Sequence, residues 1–369
     1  MIWLISIGLL CFGLFWLAYR GKCRFICLSL ATILIIELTA AIAYRFKDGY
    51  LIYHKRPNPN TALFETDPYS ICRLKANVDT IINKQHVYHN EFGWRDTVYQ
   101  PKPYQIACIG GSTTYGVGVS NKDTWPNMLE HLLADSIQVI NLGVPGHTTN
   151  EHFSTLIYDA AIIRPKLIIF HVGLNDMRLA YTSDLDAKYL THHYPALYRS
   201  VGLDFRNQLP PVASLRLLAD LAIKAGLTEP TPNINLEKTS DPKKNINQLK
   251  AIYRLKLKQL IALARVYTDH IVFVPQVLIP EAFYHSNYQW WAPHLPDSEV
   301  VSLMHEFNVI TREVAETHRC LYVDNISNIP FSLEHYTDPS HLNQQGINWF
   351  TDSLAAYLKG QYIKLKGEN

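Results

Sequence analysis

Four short blocks of this sequence carry residue types able to do covalent chemistry. The first runs from Ile109 to Gly118, IGGSTTYGVG. A glycine-rich turn between a strand and a helix can cradle phosphate on its backbone N–H groups. The specific signatures of that use fail, because no lysine follows the glycines and no G-x-G-x-x-G is present. The other use of such a turn is to expose a nucleophile. Gly110 and Gly111 let the chain bend tightly before Ser112, at the carboxyl edge of the sheet where open α/β folds place their sites. Thr114 stands where a G-x-S-x-G elbow would have its second glycine, which disfavours that motif. In isolation Ser112 reads better as a plain turn serine.

Two further blocks end apolar runs. INLGVPGHTTN places Gly143 after one run, and HVGLNDMR places Gly173, Asn175 and Asp176 after the next. Adjacent crossover strands would bring these ends beside Ser112. The Gly143 N–H and the Asn175 carboxamide could then aim at one oxygen, as acyl transfer requires of an oxyanion site. Asn175 alone could as well be a turn or cap residue. The fourth block, DPSHLNQQG, puts Asp338 and His341 three residues apart before the last helix. A serine needs a base to take its proton and a carboxylate to orient that base. On its own, D-x-x-H is also a helix cap followed by a surface histidine.

These blocks need a scaffold, and the pattern around them supplies one. YQIACIG, IQVINLG, KLIIFHVG, HIVFVPQVLI and RCLYVDN read as strands. Helical spacing occupies 124–134, a stretch ending near Ile163, 248–268, 298–317 and 344–359. Alternating strands and helices predict a parallel sheet covered on both faces. Residues 177–246, rich in Tyr, Pro and Asn, break the alternation and read as an insertion. The expected division is a transmembrane hairpin at 1–46, a linker and lead-in segment at 47–100, and a catalytic domain at 101–369.

The hairpin is read from two apolar stretches. Ile2 to Tyr19 contains no charge, and Phe25 to Tyr44 contains only Glu37. Each approaches the ~20 residues that cross a bilayer. A cleaved signal peptide would begin with a basic region, whereas here Ile2 follows Met1 directly. Arg20, Lys22 and Arg24 lie between the stretches, and basic loops stay inside. The C-terminal domain is therefore expected outside the cytoplasm, although Arg45, Lys47, Lys55 and Arg56 follow the second stretch. Glu37 is expected to face the partner helix or to be protonated. The 34 basic and 32 acidic residues give a net charge of +2, no basis for a nucleic-acid partner. Six cysteines show no metal-site spacing.

Taken in order, GGST, NLGVPG, GLND and DPSH resemble the four blocks of the SGNH (GDSL-type) hydrolase family, across residues 104 to 358. The first block departs from the literal string, with Gly111 where GDSL has Asp. The resemblance implies a three-layer α/β/α fold with a mainly parallel sheet. It implies a serine nucleophile at Ser112, a base at His341 and an orienting carboxylate at Asp338. The N–H groups of Ser112 and Gly143 and the side chain of Asn175 would hold the oxyanion. No cofactor or metal is called for. His147, His152 and His171 are the competing candidates for the base. The implied activity is ester hydrolysis, with acyl (acetyl) groups on a cell-envelope carbohydrate or related ester as the expected substrate. Transfer of the acyl group to a polysaccharide hydroxyl would use the same residues, and a catalytically dead binding module would retain the fold. Aromatic residues in 181–198 and 284–294 could stack on sugars or simply pack. NEFGWRD (90–96) reads as an ordered turn and is given no catalytic role.

Overall fold

A computed structural model of the chain describes residues 2–21, 23–48, 63–182, 209, 212–228, 238–283, 292 and 294–366. Two compact units emerge. One comprises residues 1–62 and 198–233, the other residues 63–197 and 234–369.

The first unit contains α1 (Ile2–Tyr19) and α2 (Arg24–Asp48). Of these, Arg24–Tyr44 is long and apolar enough to cross a membrane, and the other apolar stretch, Leu9–Tyr19, is shorter. Among the described residues one such span is present where two were expected. Glu37 has a role the sequence did not suggest. Its two carboxylate oxygens accept the N–H groups of Ala213 and Ser214 at 2.6 and 2.9 Å. Those donors open a helix at Ala213–Lys224, so the acid satisfies N–H groups that a helix start leaves without partners. Tyr44 adds a second tie, its hydroxyl donating to Asp220 at 2.6 Å.

The second unit is built on a five-stranded parallel sheet. Its strands are β5 (Tyr104–Gly110), β6 (Ile137–Gly143), β7 (Leu167–His171), β8 (Ile271–Phe273) and β9 (Leu321–Tyr322), in the order β6-β5-β7-β8-β9. Each strand is an apolar run because both faces are covered. Period-two alternation sorts the side chains. Ala107, Ile109, Ile168 and Phe170 pack against α5 (His152–Ile163), α8 (Pro242–Ala264) and α9 (Asp297–Thr317). Ile106, Cys108, Leu167 and Ile169 pack with α4 (Trp125–Leu132) and α10 (Gln344–Lys366). The result is three layers. Two further short helices, α3 (Ser112–Tyr115) and α6 (Leu174–Met177), begin at the carboxyl ends of β5 and β7, and α7 is the Ala213–Lys224 helix of the first unit.

Residues 64–89 form two antiparallel hairpins within this unit where a linker was expected. They are β1 (Phe64–Asp67) with β2 (Ile71–Leu74), and β3 (Val78–Ile82) with β4 (Gln85–His89). Asp67 Oδ1 nucleates the first turn by accepting the N–H groups of Tyr69 and Ser70, each at 2.8 Å. The second turn is two residues long, with φ +49° at Asn83 and +69° at Lys84, the sign that a type I′ hairpin demands.

Candidate active site

Parallel pairing aligns three of the sequence blocks at one edge. Gly110 is in register with Gly143 on β6 and with His171 on β7. Beyond Gly110 the chain turns through Gly111 into α3, whose first residue is Ser112. The glycines are required by proximity. A Cβ on Gly143 would lie 2.2 Å from the Tyr115 nitrogen, and one on Gly111 would lie 2.6 Å from Asn175 Nδ2.

The fourth block arrives on a small hairpin, β10 (Tyr336–Asp338) with β11 (His341–Leu342). It brings His341 Nε2 to 2.7 Å from Ser112 Oγ. On the other side of the ring, His341 Nδ1 lies 2.7 Å from Asp338 Oδ2 and 2.9 Å from Oδ1. The carboxylate is held in turn by the N–H groups of Ser340 at 2.9 Å and His341 at 3.0 Å. Partial burial would raise the Asp338 carboxyl. The hydrogen bond and charge of His341, with the Ser340 donors, outweigh it and hold the group well below the usual carboxylate range. Asp338 is thus ionised and fixed against Nδ1, which leaves Nε2 to accept the serine proton.

The other candidate bases are otherwise placed, although His171 lines the cavity beside Ser112. His147 Nε2 is engaged with the Cys72 carbonyl at 2.9 Å. His152 and His171 are buried, and burial pushes each down to about 3, so both are neutral.

On the oxyanion side, the Ser112 N–H opens α3, where a helix leaves its first donors free. Asn175 Nδ2 gives one proton to the His147 carbonyl at 2.9 Å and lies over Gly111. The expected third donor is otherwise occupied: the Gly143 N–H goes to Asn141 Oδ1 at 3.0 Å. Its tight packing against α3 is what the structure asks of Gly143. Gly146, at φ +87° in the same turn, has an N–H that no described residue accepts.

Three supporting residues were given no role from the sequence. Arg95, in NEFGWRD, is 1% exposed and stacks over the Tyr115 ring at 4.1 Å. Its guanidinium donates to the carbonyls of Tyr115, Gly116 and Val119 at 2.9, 2.6 and 2.6 Å, clamping the loop that follows Ser112. Asp176 accepts the Thr149 hydroxyl at 2.6 Å and so ties the His147 loop to Asn175. Arg178 Nη1 lies 3.4 Å from Asn175 Oδ1 and orients the carboxamide. The ordered turn of NEFGWRD was legible, but the target of its arginine was not.

A cavity of about 420 Å³, open mouth included, adjoins Ser112 and His341. Trp125, Val277, Ile347 and Phe350 give it an apolar wall, with His171 beside them. Among the described residues no group of His, Cys, Asp and Glu is arranged to hold a metal ion. The aromatic residues of 183–198 and 284–291 lie outside the described residues, as does most of the 177–246 insertion.

The sequence pattern of the GDSL-like lipase/acylhydrolase family matches residues 108–349, about two thirds of the chain. No curated protein matches. Among solved structures, a lipase/acylhydrolase from Enterococcus faecalis is 15% identical with a TM-score of 0.42, covering 70% of this chain and 96% of its own. An alpha/beta hydrolase enzyme from the metagenome of Lake Arreo, Spain, is 15% identical with a TM-score of 0.40 and the same coverages. A catalytic mutant of an acetylxylan esterase from Geobacillus stearothermophilus is 13% identical with a TM-score of 0.39, covering 70% and 94%.

Proposed function

The chain belongs to the GDSL-like lipase/acylhydrolase family, and on that premise we propose that it is a membrane-anchored serine esterase that removes acyl groups, acetyl foremost, from a cell-envelope carbohydrate or related ester. The observation that carries this reading is the unbroken hydrogen-bonded chain Asp338–His341–Ser112.

In the proposed mechanism His341 Nε2 takes the Ser112 proton as Oγ attacks the ester carbonyl. Asp338 stabilises the imidazolium that forms. Negative charge gathers on the carbonyl oxygen, and the Ser112 N–H, the Asn175 carboxamide and the Gly146 N–H are assigned as its donors. His341 returns the proton to the departing alkoxide, leaving an acyl-enzyme. Water, deprotonated by His341, then releases the acid. A hydroxyl in place of that water would make the same machinery a transferase.

The test is acetate release from 4-nitrophenyl acetate and from acetylated sugars in ¹⁸O-labelled water. Wild type is expected to yield labelled acetate, and Ser112→Ala to lose activity by at least about 10⁴-fold while melting normally. Full turnover in Ser112→Ala would refute the assignment. Acyl groups found only on an added sugar acceptor, with no labelled acetate, would replace hydrolysis by transfer.

A further inference from the structure

A second cavity, about 580 Å³ with its mouth, lies at the carboxyl end of β6. The β1–β2 hairpin, the Phe92–Trp94 turn and α5 enclose it. Two of its lining rings are exposed, Tyr158 by 47% and Phe92 by 41%, and Tyr69, exposed by 64%, stands beside Tyr158 outside the lining. Tyr69 and Tyr158 approach from opposite elements with centroids 5.6 Å apart, and Phe92 stacks on Trp94 at 4.6 Å. Exposed rings gathered in a concavity are apolar area that a ligand can cover. Polar groups stand among them. Asp159 Oδ1 takes the Trp94 indole N–H at 2.8 Å, and Arg73 extends from the hairpin.

That mixture selects a ligand class. A pyranose ring offers apolar C–H faces for the aromatics and hydroxyl edges for a carboxylate and a guanidinium. An anion fits poorly, since Arg73 is paired with Glu65 at 2.7 Å and the wall carries Asp67 and Asp159. An alkyl chain would cover the Asp159 carboxylate and the Arg73 guanidinium while offering neither a hydrogen bond beyond those they already make.

Position links the cavity to the reacting atoms. His147 lines it, and the His147 carbonyl accepts Asn175 Nδ2. The same carbonyl lies 3.5 Å from where a Cβ on Gly111 would be, one residue before Ser112.

We propose that this second cavity is a carbohydrate subsite, holding a neutral sugar ring of the substrate while the acyl group enters the apolar cavity beside Ser112. The assignment rests on the ester-hydrolase reading above. Tyr158 and Phe92 cover the ring faces, and Asp159 and Arg73 hold its hydroxyls.

The test compares kcat/KM on two substrates, 4-nitrophenyl acetate, which has no sugar, and a mixture of O-acetylated xylose and hexose oligosaccharides. Tyr158→Ala and Arg73→Ala are each expected to lower the oligosaccharide-to-nitrophenyl ratio by about tenfold. Ile157→Ala, also exposed on α5 but outside the cavity wall, should leave the ratio alone. Melting temperatures verify that each variant is folded. An unchanged ratio in both cavity variants overturns the subsite. So does a wild-type enzyme that cleaves 4-nitrophenyl acetate but none of the oligosaccharides. A wild type that cleaves neither substrate would instead bring down the ester-hydrolase reading, and the subsite with it.

Discussion

Asn175 gives one amide proton to the His147 carbonyl, and in the proposed mechanism its other amide proton meets the substrate oxygen. A donor that meets charge only as it develops lowers the barrier without tightening the ground state. Asn175→Ala is therefore expected to cut kcat by about 10²–10³ with little change in KM. Normal kcat with a lowered melting temperature would make it a structural tie alone. His171 gives a prediction for pH. Burial holds it neutral, its value pushed down to about 3, whereas the unfolded chain protonates it near 6.5. Between those values the unfolded state binds the extra proton, so this residue makes stability fall as pH falls. The slope is about 1.4 kcal/mol per pH unit. Denaturation of His171→Phe followed from pH 6.5 to 4.5 should show that much less acid sensitivity than wild type. An identical slope in both proteins would mean that His171 is protonated in the fold.

The elements that could be read from the sequence are those whose apolar runs admit one interpretation. YQIACIG and IQVINLG became β5 and β6 residue for residue, because runs broken only by Gln105 in one and by Gln138 and Asn141 in the other still read as strands buried on both faces. The pairing of Asp338 with His341 was equally legible, since the two sit on one short hairpin and need only local geometry to align. The β1–β4 hairpins were not, because their four- and five-residue strands are half exposed and turn on Asp-Pro-Tyr-Ser and Asn-Lys rather than Asn-Gly. Gly143 was misassigned for a related reason. A glycine after a strand can be there for its N–H or for its missing Cβ, and only the packed Tyr115 nitrogen decides. Arg95 shows what such misreadings conceal. It reaches from the turn after β4 into the carbonyls behind the nucleophile, and hydrogen bonds from a charged group contribute about 1.5–3 kcal/mol each. Arg95→Ala should cost at least about 3 kcal/mol, or roughly 6–12 °C in melting temperature. It should also lower kcat by about 10², as expected when a reacting group shifts by about 1 Å. Loss of stability with kcat intact would reduce Arg95 to a brace that does not position Ser112.

At the scale of the whole molecule the chain carries an apolar N-terminal unit and a second unit that holds the proposed active site. The basic Arg20–Arg24 segment is expected to hold its loop in the cytoplasm and the catalytic unit outside. Alkaline phosphatase fused after Asn369 should then be active, and fused at Gly21 inactive; the reverse pattern would invert the topology. The central claim is that the folded chain turns Ser112 into a nucleophile, something no segment achieves alone, because the nucleophile and its base are 229 residues apart in sequence. The most direct test is a fluorophosphonate probe applied to the intact protein in membranes, followed by mass spectrometry of the labelled peptide. The account predicts a single adduct on Ser112, abolished by heat denaturation and by His341→Ala. An adduct on another residue, or none on the folded protein, would contradict it.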